Sequence, residues 1–352
     1  MRDDGGCGFF RCLQPAKYIK YMGLAETETI LRTPTDEQLL SADLIVLQDI
    51  GSPVGSKIAK FLLQNKIPYV TDVDDFLHHV SPRNTGGYPA WNPGTLYVSR
   101  AMEVIKSSFG LTVSTNALAR EYFPYNPTIY VVPNYLDKFV WDQPTVRKQD
   151  GKIRIGWCGG NAHGDDLFMI SKVLERLIKE NKGKVVFETM GMLPQELKGV
   201  FPMQHTGNDS CPSCGFEGQL HHFPGESLEN YPGALISRGW DIAVAPVIDN
   251  SFGNCKSDLK IKEYAAAGVP MVVSSVTPYR EAKRNGAQIL LAETYEEWYT
   301  NLKALIDNQS QREEMAQKNK EWVTQYWIQD NAQHIFEAYA QVLAKANIVF
   351  RK

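Results

Sequence analysis

The chain has 352 residues, of which 43% are hydrophobic and 22% are charged, and its formal net charge is −3. This composition is ordinary for a globular protein long enough for two domains. The charge argues against a broadly basic nucleic-acid-binding surface and leaves a local basic groove as an alternative. No apolar run approaches the ~20 residues that span a bilayer, the N-terminus does not resemble a signal peptide, and the six cysteines are too few for a disulfide framework. We therefore predict a cytoplasmic protein with reduced thiols.

Strand-like and helix-like segments alternate through the first half of the chain. Apolar runs predict strands at 43–48, 68–73, 111–114 and 128–132, and the segments around them predict helices at 15–22, 35–42, 56–65, 97–109 and 116–122. This alternation implies a parallel sheet covered on both faces. The polar segment 142–151 contains proline and glycine, so we expect it to be a linker that follows a first domain at 1–141.

The start of the chain is a candidate binding segment. Gly5, Gly6 and Gly8 allow close approach of the backbone to a ligand, and Arg11 can donate to an anion or to an acceptor. The alternative is a mobile N-terminus that has no role in binding.

The strand predicted at 68–73 ends in a cluster of carboxylates. Asp72 and Asp74 form a D-x-D pair that could hold Mg²⁺ or Mn²⁺ beside a diphosphate. We favour a metal-free role for Asp74 and Asp75 at the edge of a cleft, because ligands of α/β proteins bind beyond the carboxyl ends of the strands. His78 follows, and it is either an acid, base or acceptor contact or an ordinary surface histidine.

Two aromatic residues lie in a loop rich in glycine and proline at 81–97. The rings of Tyr88 and Trp91 are suited to stacking on a sugar or a base, so both are candidates for the wall of an acceptor site. The alternative is that they pack the loop onto the domain.

The second half repeats the alternation. Strands are predicted at 152–160, 184–190, 240–247, 271–273 and 288–291, and helices at 167–180, 228–237, 278–285, 295–307 and 328–344. They predict a second α/β domain at 152–327 and a C-terminal helical segment at 328–352. The first of these strands runs into Gly159 and Gly160 before a helix, which is a phosphate-binding arrangement.

The segment 205–222 interrupts this pattern. Its Cys211, Cys214, His221 and His222 are enough ligands for a structural zinc ion. The spacing is shorter than in a usual zinc finger and adjacent histidines rarely bind one ion, so we favour an insertion loop with free thiols.

The most informative stretch is 254–275, NCKSDLKIKEYAAAGVPMVVSS. Ser257 is a good N-cap for a helix, and Gly268 supplies the left-handed residue that ends it. The helix N-terminus, with Lys256 and Lys260 four residues apart on one face, suits a diphosphate. Glu263 lies one turn further and can accept from two vicinal hydroxyls, as on a ribose. The alternative is an ordinary amphipathic helix with solvated lysines.

The segment KSDLKIKEYAAAGVP resembles the nucleotide-sugar signature of GT-B glycosyltransferases, in particular the retaining glycosyltransferase family 4. In that family a basic residue contacts the diphosphate, and a glutamate followed by small residues and Gly-x-Pro holds the ribose. Lys260 and Glu263 match these positions. The first glutamate of the family motif is absent, and Lys256 stands in its place.

The resemblance implies a GT-B fold, in which two Rossmann-like domains face a cleft and the second domain binds the donor. It also implies donor contacts from several loops and from the helix start, at Gly159, Gly160, His163, Pro246, Asn254 and Ser257. On the acceptor side, the glycine-rich start with Gly8 and Arg11 is expected to face the cleft. The resemblance also implies that the helix in the segment 328–352 crosses back to the first domain.

The function implied is transfer of a sugar from a nucleotide diphosphate donor to a saccharide hydroxyl. The nucleotide is expected to be UDP, because UDP is the common donor nucleotide of the family. The resemblance also implies that the anomeric configuration is retained and that no metal or other cofactor is obligatory. Lys260 and Lys256 would stabilise the leaving diphosphate and Glu263 would orient the donor. Three alternatives are kept. The acceptor could be a hydroxymethylated base in DNA, as with some bacterial viruses; the protein could bind nucleotide without catalysis; or it could be a metal-dependent GT-A enzyme that uses Asp72 and Asp74.

Overall fold

The computed structural model describes residues 1, 5–31, 33–80, 82, 87–160, 163–191, 205–206 and 220–350. The strands are β1 Ile45–Leu47, β2 Tyr69–Val73, β3 Gly110–Val113, β4 Ile129–Val131, β5 Ile153–Gly159, β6 Val185–Gly191, β7 His205–Thr206, β8 Leu220–Pro224, β9 Ile242–Ala245, β10 Met271–Ser274 and β11 Leu290–Ala292. The α-helices are α1 Gly6–Gly8, α2 Gln14–Tyr21, α3 Asp36–Leu40, α4 Pro53–Gln64, α5 Tyr88–Trp91, α6 Leu96–Ser107, α7 Asn116–Tyr122, α8 Lys138–Trp141, α9 Gly164–Met169, α10 Ser171–Glu180, α11 Tyr231–Ser237, α12 Leu259–Ala266, α13 Thr277–Arg284, α14 Tyr295–Asp307, α15 Gln309–Val323 and α16 Ile328–Phe350.

The first half forms a parallel sheet of strands in the order β1-β2-β3-β4. The middle strands β2 and β3 are buried along their whole length, as expected for a parallel sheet with both faces covered. Each predicted strand of this half is confirmed to within two residues. Threonine or serine side chains cap α3, α4, α6 and α7 of this half; the Thr115 hydroxyl, for example, accepts from the Leu118 N–H at the start of α7.

The second half forms a second parallel sheet in the order β11-β10-β9-β5-β6-β8-β7. From β5 the chain builds outward through β6 and β8 on one side and through β9, β10 and β11 on the other. The strand order therefore reverses between β5 and β9, which pair directly at Ile155–Ile242 and Gly156–Ala243. In open α/β sheets the crevice beyond the carboxyl ends of such a strand pair is where ligands bind.

The last helix, α16, packs against α2 beside the first sheet. Its buried positions recur at helical spacing, which gives one apolar stripe: Ile328, Ala332, Ile335, Ala338, Val342 and Ala346. The approach is close, because a Cβ on Gly110 would lie 2.5 Å from a methyl of Val342. None of the helices in the described part of the chain is both long enough and apolar enough to cross a membrane.

Three expectations about local structure are wrong. The glycine-rich start, expected to bring the backbone close to a ligand or to be mobile, is helical, because Gly6–Gly8 and a π-helical turn at Phe9–Leu13 lead directly into α2. The helix expected at 167–180 is divided into α9 and α10 at Ile170. The helix α12 begins after Asp258, so Ser257 lies one residue before the observed N-cap position, although its hydroxyl does accept from the Leu259 N–H at the helix start, at 3.4 Å.

The end of α12 yields a prediction about stability. Gly268 has a φ of +68°, and an added Cβ would lie 2.2 Å from the Thr145 hydroxyl. We expect Gly268→Ala to lower the free energy of unfolding by about 1–2 kcal/mol, because the left-handed backbone is strained for a residue with a Cβ. Gly233→Ala is the matched control, since that helical glycine of α11 has open space around it and alanine should stabilise by up to about 1 kcal/mol. Urea denaturation measures both; equal effects would contradict the prediction.

Candidate active site

The carboxyl end of β5 is the meeting point of the side chains that the sequence singled out on α12. The ammonium of Lys260 donates to the backbone carbonyl of Cys158 and lies 5.6 Å from the centre of the Trp157 ring. Lys260 is half-buried, so it is not the solvated surface lysine of an ordinary amphipathic helix. It therefore places a positive charge at the crevice between β5 and β9.

Glu263 lies one turn further along α12 and is buried. Its carboxylate accepts a hydrogen bond of 2.9 Å from the Tyr231 hydroxyl at the start of α11. Burial raises the pKa of Glu263 to about 7, against the opposing effects of the Lys260 charge and the Tyr231 hydrogen bond. A carboxylate that titrates near neutrality in a crevice is typical of a functional site.

His163 follows β5, and its partner Asp166 links it to the chain beyond β9 on the other side of the crevice. Its Nδ1 lies 2.9 Å from the Asp166 carboxylate, and the other oxygen of Asp166 accepts from the Ile248 N–H beyond β9. Burial, followed by the charges of Lys256 and Lys260, lowers the pKa of His163 to about 4. The ring is therefore neutral at pH 7, and both lysines are close to it.

The sequence predicts Lys256 and Lys260 on one helix face. Lys256 instead has an extended backbone and lies before the start of α12, so the two lysines do not share a helix face. Its ammonium is 3.9 Å from the Asp75 carboxylate of the first half and 4.6 Å from the centre of the Phe252 ring. Lys256 and Asp75 thus face each other between the two sheets.

Asn134, after β4, joins the two halves. Its side-chain amide donates to Asp74 at 3.3 Å and to the Ser257 hydroxyl at 3.1 Å. Its backbone carbonyl accepts from the Lys262 ammonium at 3.0 Å. Lys262 is 0% exposed and also forms a 2.7 Å ion pair with Asp258. Asp74 and Ser257, both expected in the cleft, are therefore brought together.

Arg11 is not available to an acceptor, because its guanidinium is buried and fully engaged. It contacts both oxygens of Asp72, at 3.1 and 2.7 Å, and donates to the Val132 carbonyl and the Asn134 side chain. Asp72 is held by Arg11 and by the Thr112 hydroxyl, so the geometry does not favour a D-x-D metal site. Gly8 is buried in the same helical segment.

The aromatic candidates differ in their exposure. Trp91 is 8% exposed and packs edge-on against Tyr97 at 4.7 Å, so it packs its segment onto the first sheet rather than forming a stacking surface. Tyr88 is partly buried against the same core. His78 is half-buried among the rings of Phe76 and Tyr122, and burial, then the charge of His79, lowers its pKa.

The other expected donor contacts lie around the crevice. Gly159 and Gly160 follow β5, and a Cβ on Gly159 would meet the Trp157 ring at 2.5 Å, whereas one on Gly160 would meet nothing within 4 Å. Pro246 is buried directly after β9. Asn254 accepts from the Thr277 N–H at 2.8 Å and lines a cavity of about 360 Å³ between α7 and the 250–255 loop.

Two of the four candidate zinc ligands, Cys211 and Cys214, lie outside the described residues. His221 and His222 are consecutive in β8, so their side chains point to opposite faces of the sheet. His222 lies 3.0 Å from the Thr189 hydroxyl. The part of the chain that the structure describes contains no cluster of three or more histidine, cysteine or carboxylate residues suited to a metal.

Four residues of the site were missed by sequence reasoning: Cys158, Tyr231, Asn134 and Lys262. Cys158 and Asn134 follow the rule that ligands bind at strand carboxyl ends, so their positions offered a signal. Lys262 offered one as well, because it is four residues from Asp258 in a helix. Tyr231 offered none, since it lies 32 residues from Glu263.

The pKa of Glu263 leads to a prediction in the absence of ligand. The folded protein holds this proton up to about pH 7, whereas the unfolded chain releases it near pH 4 to 5, so the stability it contributes is lost as the pH rises through this window. We expect Glu263→Gln to gain stability relative to wild type between about pH 5 and 7. His163 has the opposite dependence but is common to both proteins. Urea denaturation at several pH values measures the difference; a constant difference would contradict the assignment.

Similar folds occur in several solved structures. TarM matches with a TM-score of 0.60 and 12% identity, over 85% of this chain and 54% of TarM, so the chain spans about half the length of TarM. A TarM variant from S. aureus was solved with UDP. HepE from Anabaena, in complex with UDP and glucose, matches with a TM-score of 0.60 and 13% identity, over 98% of this chain and 84% of HepE.

A third similar structure is the alpha,alpha-trehalose 6-phosphate synthase from Burkholderia multivorans, with a TM-score of 0.61 and 13% identity over 98% of this chain and 83% of the synthase. Another trehalose-6-phosphate synthase structure belongs to a study of glycosyltransfer with retention. The sequence matches no protein-family profile and no curated protein. These similarities, together with the two parallel sheets, show that the chain has the GT-B fold.

Proposed function

We propose that this protein is a glycosyltransferase that transfers a sugar from a UDP-sugar donor to a saccharide hydroxyl, with retention and without an obligatory metal. The observation that carries the proposal is that Lys260 and Glu263, from one helix, meet the carboxyl end of β5 where the strand order reverses. Two proteins of similar fold, HepE and a TarM variant, were solved with UDP. An ordinary amphipathic helix would not need a buried, half-titrated carboxylate at this place.

The charges around the crevice suit the departure of a diphosphate. The charges of Lys256 and Lys260 both lower the pKa of His163, so both lysines contribute positive charge on the side of the crevice where His163 lies. Negative charge builds up on the diphosphate as the bond to the sugar breaks, and preorganised cations lower the energy of that state. Lys260 would exchange the Cys158 carbonyl for a phosphate oxygen, which requires movement of one side chain only.

Glu263 and His163 would hold the rest of the donor. The ionised Glu263 accepts from the ribose hydroxyls, and this fixes the nucleotide relative to the lysines. The neutral His163 donates from Nδ1 to Asp166, which leaves Nε2 to accept from a hydroxyl of the sugar.

The acceptor would bind from the side of the first sheet. Asp74 and Asp75 follow β2 and lie opposite Ser257 and Lys256, so they face the donor crevice. Their carboxylates can accept from acceptor hydroxyls. His78 follows them in the chain, and its lowered pKa would let it receive a proton as a neutral ring. Closer approach of the two halves would exclude water and limit hydrolysis of the donor.

Calorimetric titration with UDP, GDP and ADP, with and without EDTA, tests this proposal. We expect binding of UDP that is insensitive to EDTA and that weakens about tenfold in Glu263→Gln, because one charge-assisted hydrogen bond is lost. Glu296→Gln is the control, since that carboxylate is exposed on α14.

The outcomes separate the competing functions. If none of the nucleotides binds, the proposal is wrong. Binding that persists unchanged in Glu263→Gln removes the reason to place the site on α12. Binding without release of UDP from any UDP-sugar, in the presence of mixed saccharide acceptors, would indicate a nucleotide-binding protein without transferase activity.

A further inference from the structure

A chain of hydrogen bonds runs behind the Glu263 carboxylate. The Tyr231 hydroxyl lies 2.9 Å from Oε2 of Glu263 and 3.1 Å from the thiol of Cys158. Because an ionised carboxylate only accepts, Tyr231 donates to Glu263 and its own oxygen can accept from the thiol, which lies closer to it than to the other acceptor, the Tyr264 hydroxyl at 3.5 Å. The Tyr264 hydroxyl accepts from the Cys158 N–H at 3.1 Å, which holds Cys158 in place.

This chain opposes the cost of burying a charge. Burial disfavours ionised Glu263. The Lys260 charge favours the ionised form, but the hydrogen bond of this ammonium goes to the Cys158 carbonyl. The Tyr231 hydroxyl is the group that bonds the carboxylate directly. It also restricts the orientation of the carboxylate, because it holds Oε2 in one place.

We propose that Tyr231, supported by Cys158, is a positioning residue of the nucleotide site, which holds Glu263 ionised and oriented for the two ribose hydroxyls. This inference rests on the proposed function, since it presumes a nucleotide at Glu263. It adds a specificity determinant from α11, because the orientation matters only for a ligand that offers a vicinal diol. A 2′-deoxynucleotide offers one hydroxyl and gains less from it.

The test is calorimetric binding of UDP and of 2′-deoxy-UDP to the full chain carrying Tyr231→Phe. We expect UDP to bind about tenfold more weakly, and the preference for UDP over 2′-deoxy-UDP to fall by a similar factor. The ring of Tyr231 remains, so its edge-on contact with Trp141 at 5.8 Å is kept. Tyr69→Phe is the matched control, because it removes a buried, hydrogen-bonded hydroxyl from the first sheet.

The pH dependence of UDP binding separates positioning from a structural role. In wild type, UDP affinity should rise as the pH increases through about 7, where Glu263 ionises. Without the Tyr231 hydroxyl the midpoint should move to higher pH, because a hydrogen bond to the charged form is lost. The titratable groups that face Glu263 are Lys260, Cys158, Tyr231, Tyr264 and Tyr279. All except Tyr231 are unchanged in this variant.

A double-mutant cycle completes the test. If Tyr231 acts through Glu263, Tyr231→Phe should have little effect on UDP binding once Glu263 is glutamine. Equal affinity and equal pH midpoint in wild type and Tyr231→Phe, with Glu263→Gln still weakened, would overturn this inference and leave the proposed function intact. Absence of UDP binding by wild type would overturn both.

If Tyr231→Phe does not fold, Cys158→Ala decides. Loss of the thiol should shift the pH midpoint of UDP binding in the same direction, and an unchanged midpoint would contradict the proposal.

Discussion

Lys260→Met should slow the release of UDP from a UDP-sugar by about 10²- to 10³-fold, because it removes a cation aimed at charge that develops in the transition state. Stability should fall by about 1–2 kcal/mol, since the hydrogen bond to the Cys158 carbonyl and the contact with the Trp157 ring are lost. Hydrolysis of the donor by water is the assay, because it needs no knowledge of the acceptor. The donor is the UDP-sugar that calorimetry shows to bind.

Lys283→Met is the control for the change in net charge, because Lys283 is exposed on α13. It should release UDP at the wild-type rate. A similar loss of rate in both variants would indicate a long-range effect of charge. Wild-type activity in Lys260→Met would remove this lysine from the mechanism and leave Lys256 as the cation at the diphosphate.

Arg11→Met should lower the free energy of unfolding by about 3–5 kcal/mol, because it leaves the Asp72 carboxylate buried without its cation. The side chains of Arg11 and Asp72 are each 1% exposed. The Val132 carbonyl and the Asn134 side chain would lose a donor as well. Urea denaturation monitored by tryptophan fluorescence measures the loss.

Two comparisons show whether the effect comes from the unpaired charge. Lys20→Met breaks an ion pair with Glu26 in which both side chains are exposed, so it should cost about 0–1 kcal/mol. Arg11→Met combined with Asp72→Leu removes both charges, and it should cost less than the two single changes added together. Additive losses would mean that packing, rather than the ion pair, explains the destabilisation.

The connection from Arg11 to α12 gives this ion pair a second role. Arg11 donates to Asn134, and the Asn134 carbonyl accepts from Lys262, one residue before Glu263. A buried polar network therefore runs from the first sheet to the helix that carries the proposed donor contacts. Such networks fix one arrangement of their members when every group is satisfied.

Local patterns were sufficient for most elements and for the proposed donor helix. Gly268 ends α12 in a left-handed residue, as its sequence context predicts, and the run after Pro270 is the buried strand β10. The approach of Lys260 and Glu263 to β5 agrees with the interpretation of this stretch as a site. Spacing along the chain carried this information, because a helix places residues three and four apart on one side.

Contacts between distant segments could not be predicted in this way. Arg11 was interpreted as a ligand contact because a lone arginine in a glycine-rich segment has no visible partner, and its partner Asp72 is 61 residues away. For Trp91 the sequence leaves stacking on a ligand and packing of its segment as alternatives, and the neighbouring rings of the first core bury it. For both residues the outcome depends on burial, which the local sequence does not encode.

The amino-acid sequence by itself determined the alternation of strands and helices, the parallel sheets that follow from it, and the helix with Lys260 and Glu263. These features depend on backbone propensity and on hydrophobic periodicity, which act over a few residues. Only the tertiary structure decided which polar residues are available to a ligand and which are used within the protein. That choice depends on pairs such as Arg11 with Asp72, Tyr231 with Glu263 and Lys262 with Asn134. It could not be inferred locally, because burying a polar group is favourable only when a partner from another part of the chain arrives with it.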